Sequence, residues 1–220
     1  MSATAVARGV ARLGPRLALR TAHEQLLYSR RFLGLRCDLE SAPAAPAAKI
    51  PVAMTAAAPP AGIFDVELAS ARGEDWLETY LRHRMVAAEV TELYVARDDA
   101  GAPVYAQWLV RSAHWAQLDR FAPGRYPPLA PDEALVEGAF TFPRFRGLGV
   151  MADGMAQLLA IAGAAGVRSV LTYVGDDNVP SLRGCARVGF ELDHVRVNRR
   201  RLGRRSSTAS PPDDDARRAW

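Results

Sequence analysis

The chain has 220 residues, 49% of them hydrophobic, with a formal net charge of +4 and a pI near 9.4. The length suits one large domain or a domain with an appendage, and the apolar fraction can build a core. No run of about 20 apolar residues is free of charge or proline, which excludes an obvious membrane-spanning helix. The positive charge is almost all arginine, Lys49 being the only lysine, and a basic surface favours an anionic ligand. Two cysteines, Cys37 and Cys185, make neither a metal cluster nor a disulfide framework, so no metal and a reducing, cytoplasmic setting are expected.

At the N-terminus, Arg8, Arg12, Arg16 and Arg20 recur every four residues, and no acidic residue precedes Glu24. The spacing lines one face of a basic helix. An Arg-rich, acid-poor start also resembles a transit peptide, although Pro15 interrupts it. From Ala22 to Leu39 the chain reads as a helix end and a strand, "RFLGLRCDL". The Pro/Ala stretches "SAPAAPAA" and "AAAPPAG" read as loops around a short strand, "IPVAM". "GEDWLETYLRHRMVAAEV" reads as an amphipathic helix. Trp76, Leu77, Tyr80, Leu81 and Met85 share one side, and Glu74 and Asp75 suit its first turn.

Next comes a hairpin, "ELYVARD" and "PVYAQWLVR" about a Gly-containing turn. A Pro-rich loop leads to the strand "ALVEGAFTF", then the junction "PRFRGLGV", then the helix "VMADGMAQLLAIAGAAG". The strand "SVLTYV", the short helix "PSLRGCARV" and the strand "FELDHVRVNRRRL" follow, with Pro180 and Gly189 as helix punctuation. From Arg204 onward, Ser, Pro and Asp predict a disordered tail. The domain reading is therefore a basic N-terminal segment with a helix and strand extension (1–49), a main domain (50–203) and a tail (204–220). Hairpins pair antiparallel and strand–helix–strand units pair parallel, so the fold class is α/β with a mixed sheet.

The junction puts Gly147 and Gly149 at the start of a helix, with Arg144 and Arg146 beside them. The first amides of a helix have no internal partner, and the macrodipole adds positive charge there. Glycines let an anion approach those amides, so the junction reads as a phosphate site; a tight turn with incidental arginines is the alternative. It is no P-loop, lacking Gly-Lys-Ser/Thr, and the dinucleotide pattern GxGxxG fails at Ala152.

Arg144-x-x-Gly147-x-Gly149 resembles the acyl-CoA pyrophosphate signature of the GNAT acetyltransferase superfamily. "ALVEGAFTFPRFRGLGVM" is similar to that family's fourth strand and loop. "DDNVPSLRGCARVGF" is similar to its second motif, an Asn and a short helix ending in Gly-Phe. The resemblance spans Ile50 to Gly203 and is specific from Glu133 to Phe190. It implies a mixed, mostly antiparallel sheet whose two central parallel strands splay apart around acyl-CoA, with flanking helices. The pyrophosphate would meet the backbone of Arg146, Gly147, Leu148, Gly149, Val150 and Met151, with Arg144 adding charge. The pantetheine arm would lie along Ala139, Phe140 and Thr141, with Asn178 and Ser181 across the cleft.

Acetyl transfer to an amine needs a base, and family enzymes often carry a glutamate on this strand. Glu133 and Glu137, four residues apart, share a strand face. Either could be that base, Glu137 being the more embedded; pairing with an arginine is the structural alternative. The family's usual tyrosine acid is replaced by Cys185, for which packing is the favoured reading. Tyr173 and Tyr126 are other hydroxyl sources. Trp108 and Trp115 could line an acceptor pocket, although core packing is favoured for Trp108, and His114 reads as a solvated loop residue. The expected activity is acetyl transfer from acetyl-CoA to an amine-bearing acceptor, small molecule or peptide, without a metal. The alternative is a non-catalytic CoA-binding regulatory module. A nucleic-acid role ranks last, because only Phe145 stands as a stacking aromatic beside the arginines. No membrane partner is expected, and a homodimer stays open.

Overall fold

The computed structural model describes residues 27–43, 47–57, 62–202 and 204–220. The expected basic helix and transit-like segment lie in residues 1–26, outside the described residues. Eight strands form one sheet in the order β2-β3-β4-β5-β6-β1-β7-β8. They are β1 (Leu27–Asp38), β2 (Thr55–Ala57), β3 (Leu93–Arg97), β4 (Pro103–Arg111), β5 (Glu133–Thr141), β6 (Ser169–Gly175), β7 (Glu191–Arg201) and β8 (Arg204–Ser210). Every neighbouring pair is antiparallel except β5–β6, which is parallel. The mixed, mostly antiparallel sheet read from the sequence is the one found.

The helices are α1 (Asp65–Ser70), α2 (Gly73–Ala87), α3 (Trp115–Phe121), α4 (Val150–Ala164), α5 (Val179–Arg187) and α6 (Asp214–Ala219). They divide between the two faces of the sheet. On one face, Val150, Ala152, Met155, Leu158 and Leu159 of α4, with Leu182 and Cys185 of α5, pack over Leu33, Leu35, Ala134 and Val136. On the other, Phe64, Met85 of α2 and Leu118 of α3 cover Trp108, Leu135, Leu171 and Tyr173. Covered on both faces, β5 carries apolar residues at successive positions, Ala134 to Val136, instead of alternating.

Two glycines let elements approach each other. Gly154 lies inside α4, where a Cβ would come 2.7 Å from Tyr105 Cδ1. Gly138 lies inside β5 with φ +67°, at a register shift where β5 passes from pairing Glu137 with Trp108 to pairing Phe140 with Ala106. This β-bulge resets the alternation. Before it Leu135 faces the α2 side and Val136 the α4 side; after it Phe140 faces the α2 side.

Four expectations need correction. The short strand expected at "IPVAM" lies later, at Thr55–Ala57. The backbone of the expected stretch is taken by Gln157 of α4, which bonds Met54 N at 3.0 Å and Val52 O at 2.8 Å. The tail expected to be disordered forms β8 and α6. Asp213 caps α6 by accepting from Ala216 N at 2.9 Å, Ala216 is fully buried, and Trp220 packs on the core. The boundary drawn at residue 49 separates nothing, because β1 sits inside the sheet between β6 and β7. The loop after β4 holds a short helix, α3, that the sequence reading left out.

Candidate active site

The parallel strands β5 and β6 pair over only three positions, Glu133 with Ser169, Ala134 with Val170 and Leu135 with Leu171. Beyond them β5 stays with β4 as far as Thr141, and β6 stays with β1 as far as Gly175. The two strands therefore part, and their inner edges have no strand partner among the described residues. Such an edge presents backbone donors and acceptors that want a partner.

The parted strands open onto the start of α4. After Thr141 the chain buries Phe142, makes a 3-10 turn at Pro143–Phe145, and reaches the glycine loop. Gly147 and Gly149 have φ of +78° and +81°, a left-handed region that other residues enter at a cost. Gly149 is the N-cap of α4, and no side chain caps this helix. A Cβ on Gly147 would meet nothing within 4 Å, whereas one on Gly149 would stand 3.5 Å from Ala48 Cα, so the loop is open at Gly147. Asp153, the acidic residue of the first turn, is turned to other work. It accepts from Ala48 N at 3.0 Å and from Gln157 Nε2 at 2.8 Å. The amides at the helix start are left available to an anion.

These elements enclose a cleft of about 580 Å³. Ala139, Phe140 and Thr141 line it from β5, and Arg146, Gly147 and Gly149 from the loop. Val150 and Met151 line it from α4, and Asn178 and Ser181 from the start of α5. Asn178 is the N-cap of α5, its Oδ1 accepting from Ser181 N at 3.3 Å. Two expected residues lie off the lining. Arg144 turns to Asp98 at 3.1 Å and stacks over Phe145 at 4.6 Å. Leu148 packs on the core, and its carbonyl accepts from Lys49 N at 2.8 Å.

The sequence reading missed several lining residues. Arg183, Gly184 and Arg187 of α5 face the cleft, and their spacing of three, four and seven residues from Pro180 was the available signal. Glu74, Asp75 and Glu78 of α2 form an acidic rim opposite, where Asp75 holds Arg146 at 3.1 Å. Nothing local in the sequence brings α2 to this place.

Apart from Cys185, the candidate acid and base groups lie on the α2 side of the sheet, where Tyr126, Tyr173 and Leu135, which shares its face with Glu133 and Glu137, are packed. Glu133 receives Arg36 Nη1 at 2.8 Å and Ala130 N at 3.0 Å, and so is held as an ion-pair partner. Glu137 is half-buried beside Tyr126, Arg125 and Arg82. Burial pushes the Tyr126 phenol well above its ordinary value; Arg125 opposes this and Glu137 adds to it. Arg82 donates to the carbonyls of Gly138 at 3.4 Å and Ala139 at 3.2 Å, bracing the bulge.

Tyr173 lies on β6 just past the parting point, with a buried hydroxyl that lacks a hydrogen-bond partner. Burial pushes its phenol up to about 12, with Arg196 opposing. Cys185 is fully buried behind the cleft wall, and burial pushes its thiol up to about 12. Trp108 is a core residue, and His114 Nδ1 lies 3.1 Å from Glu92 Oε1. Among the described residues no group of three or more metal-ligating side chains forms, and no helix is long and apolar enough to cross a membrane.

No family model matches the chain, and no curated protein matches it. Solved structures match its fold. One is a GCN5-related glucosamine N-acetyltransferase region of a fungal multi-domain GH3 β-N-acetylglucosaminidase, at 16% identity and a TM-score of 0.54, covering 82% of this chain and 22% of that one. Another is a GCN5-related N-acetyltransferase from Sphaerobacter thermophilus, at 17% identity and a TM-score of 0.50, covering 93% of this chain and 60% of that one. A GNAT-family acetyltransferase from Colwellia psychrerythraea matches at 16% identity and a TM-score of 0.50, covering 84% of this chain and 59% of that one. The chain thus spans about three-fifths or less of the length of these proteins. The likeness is one of architecture.

Proposed function

We propose that this chain, built on the fold of the GNAT acetyltransferases, transfers an acetyl group from acetyl-CoA to an amine. One observation carries the reading. The uncapped start of α4, with its two left-handed glycines, opens into the gap where β5 and β6 part. The helix start takes the pyrophosphate, and Arg146, Arg183 and Arg187 add charge around it. The edge of β5 at Ala139–Thr141, which pairs with no strand on this side, lines the cleft where the amide-bearing arm would lie. The thioester then reaches the parting point, level with Glu137 and Tyr173.

At that point the acceptor nitrogen bonds to the acetyl carbon, the carbon–sulfur bond breaks, and CoA leaves as the thiolate. The proton lost by the amine goes to Glu137, directly or through water. Glu137 suits this role better than Glu133, whose carboxylate is already held by Arg36. The buried thiol of Cys185 does not serve as the acid, so the thiolate takes its proton from water or from another hydroxyl.

The test is release of free CoA from acetyl-CoA over a panel of amines. Acceptor-dependent release above the blank supports the reading. A second reading, a CoA-binding regulatory module, draws on the loss of an accessible acid at Cys185. It predicts a thermal shift with acetyl-CoA and no release with any amine. No shift at all removes both.

A further inference from the structure

On the α2 side of the sheet, beside Glu137, lies a group of cationic and aromatic side chains that the cofactor cleft does not use. The guanidinium of Arg125 stands 5.3 Å from the centroids of both the Phe32 and the Tyr126 rings. Tyr126 in turn lies 5.7 Å from Tyr173, and the guanidinium of Arg196 lies 5.9 Å from the Tyr173 ring. Arg196 is fixed by donating to the Arg125 carbonyl at 3.0 Å. Arg82 approaches the same group through the bulge at Gly138.

Two independent features of this group call for a ligand. The first is charge. Three guanidiniums, Arg82, Arg125 and Arg196, stand here with two nearby carboxylates, Glu137 close to Arg82 and Arg125 and Glu78 close to Arg82. No described carboxylate lies within ion-pair distance of any of the three. The neighbouring Arg36 is different, since Glu133 holds it at 2.8 Å and Asp193 lies 3.7 Å away. An excess of half-buried positive charge is unfavourable until an anion joins it. The second feature is the Tyr173 hydroxyl. Tyr173 is only 8% exposed, and its hydroxyl has no partner, a state that folded chains avoid unless a ligand or water completes it. The Phe32 and Tyr126 rings beside it orient the planar Arg125 fork, which suits two-point recognition of an oxyanion.

We propose that this group anchors the acceptor, and that the acceptor carries an oxyanion, carboxylate or phosphate, beside its amine. Arg125 and the Tyr173 hydroxyl hold the oxyanion, and Glu137 then faces the amine at the point where β5 and β6 part. The inference rests on the acetyl-transfer reading. It adds the acceptor class, which no motif encodes.

Matched probes separate the terms. The α-amino acids are compared with their α-amides, and phosphoethanolamine with ethanolamine, by free CoA release. The oxyanion-bearing member of at least one pair is expected to have a tenfold or greater advantage in kcat/KM. The amino-acid arm identifies a carboxylate and the phosphoethanolamine arm a phosphate. Arg125→Gln is expected to raise KM for that acceptor tenfold or more with little change in kcat. Tyr173→Phe, which removes one oxygen and keeps the ring, should raise KM in the same direction, and both variants should keep the parent's thermal shift with acetyl-CoA. Equal use of acids and amides, use of only uncharged amines, use of no probe, or an unchanged KM in both variants would overturn the proposal. No thermal shift in the parent would instead remove the acetyl-transfer reading beneath it.

Discussion

The indole of Trp108 occupies the space that a side chain on Gly138 would need: a Cβ there would stand 2.8 Å from Trp108 Cε3. The same glycine holds φ +67°, so both shape and backbone require it. Gly138→Ala would meet a left-handed penalty of about 1–2 kcal/mol and an overpacking cost of about 1–3 kcal/mol. For a chain of this size that lowers the melting temperature by roughly 5 °C or more. A thermal melt checks it, and an alanine variant that melts with the parent would show that the bulge yields freely.

Glu137 and Glu133 share a strand face but differ in their partners, which gives opposite expectations for the same substitution. Glu137→Gln keeps size and removes the proposed base, so turnover on a good acceptor should fall by about 100- to 10,000-fold, while the acetyl-CoA thermal shift is retained. Glu133→Gln removes half of the Arg36 pair and should cost about 1 kcal/mol or less of stability, because the Arg36 side chain is 38% exposed. Its turnover should stay within about tenfold of the parent, below the range typical of losing a general base. The reverse pattern would make Glu133 the base.

Both thiols are buried, and burial raises them, Cys37 to about 11 and Cys185 to about 12. Neither is a thiolate at neutral pH, and the thiolate is the reactive form. In native protein a disulfide reagent should therefore label neither at pH 8, and denaturant should release both. The pH dependence has a definite sign. A raised acid favours the fold fully below its unfolded value of 9.0 and loses that contribution as pH rises toward 11 and then 12. Stability should accordingly fall above pH 9. Rapid labelling of the native protein would contradict this burial.

The tail is tied to the cleft through one arginine. Arg31 pairs with Asp213, the cap of α6, and lies 3.5 Å from Asp176 in the loop leading to Asn178. Removing residues 211–220 deletes the cap, the buried Ala216 and the Trp220 contact. The cap alone is typically worth about 1 kcal/mol, so a drop of several degrees in the melt is expected. An unchanged melt would mean that the tail does not hold the fold.

The parts legible in the sequence are those whose signal is local. The β3–β4 hairpin follows from a Gly-containing turn between alternating runs, and α4 from a long apolar run behind two glycines. The loop glycines could be read as an anion site because backbone access is a local property. The tail failed because its order comes from contacts remote in sequence: Arg31 to Asp213, and Ala216 against the core. The place of β1 failed for the same reason, since a strand inserted between β6 and β7 leaves no mark on its own residues. In the site, Arg144 was misplaced because Asp98, 46 positions earlier, claims its guanidinium. The acidic rim and the Arg125 group arise from α2 and from the loop after α3, which only the fold brings to the sheet.

The central claim is that the start of α4 binds the pyrophosphate of acetyl-CoA, and Gly149→Glu tests it most directly. A glutamate there forces a side chain into a φ of +81° beside the Ala48 backbone and adds a negative charge at the N-cap of the uncapped helix. The measurement is the acetyl-CoA thermal shift of parent and variant, with circular dichroism to confirm that both are folded. At about 100 times the dissociation constant the parent should gain roughly 2.7 kcal/mol, and the folded variant should show no shift. A parent that does not shift, or a variant that shifts as much as the parent, would contradict the account.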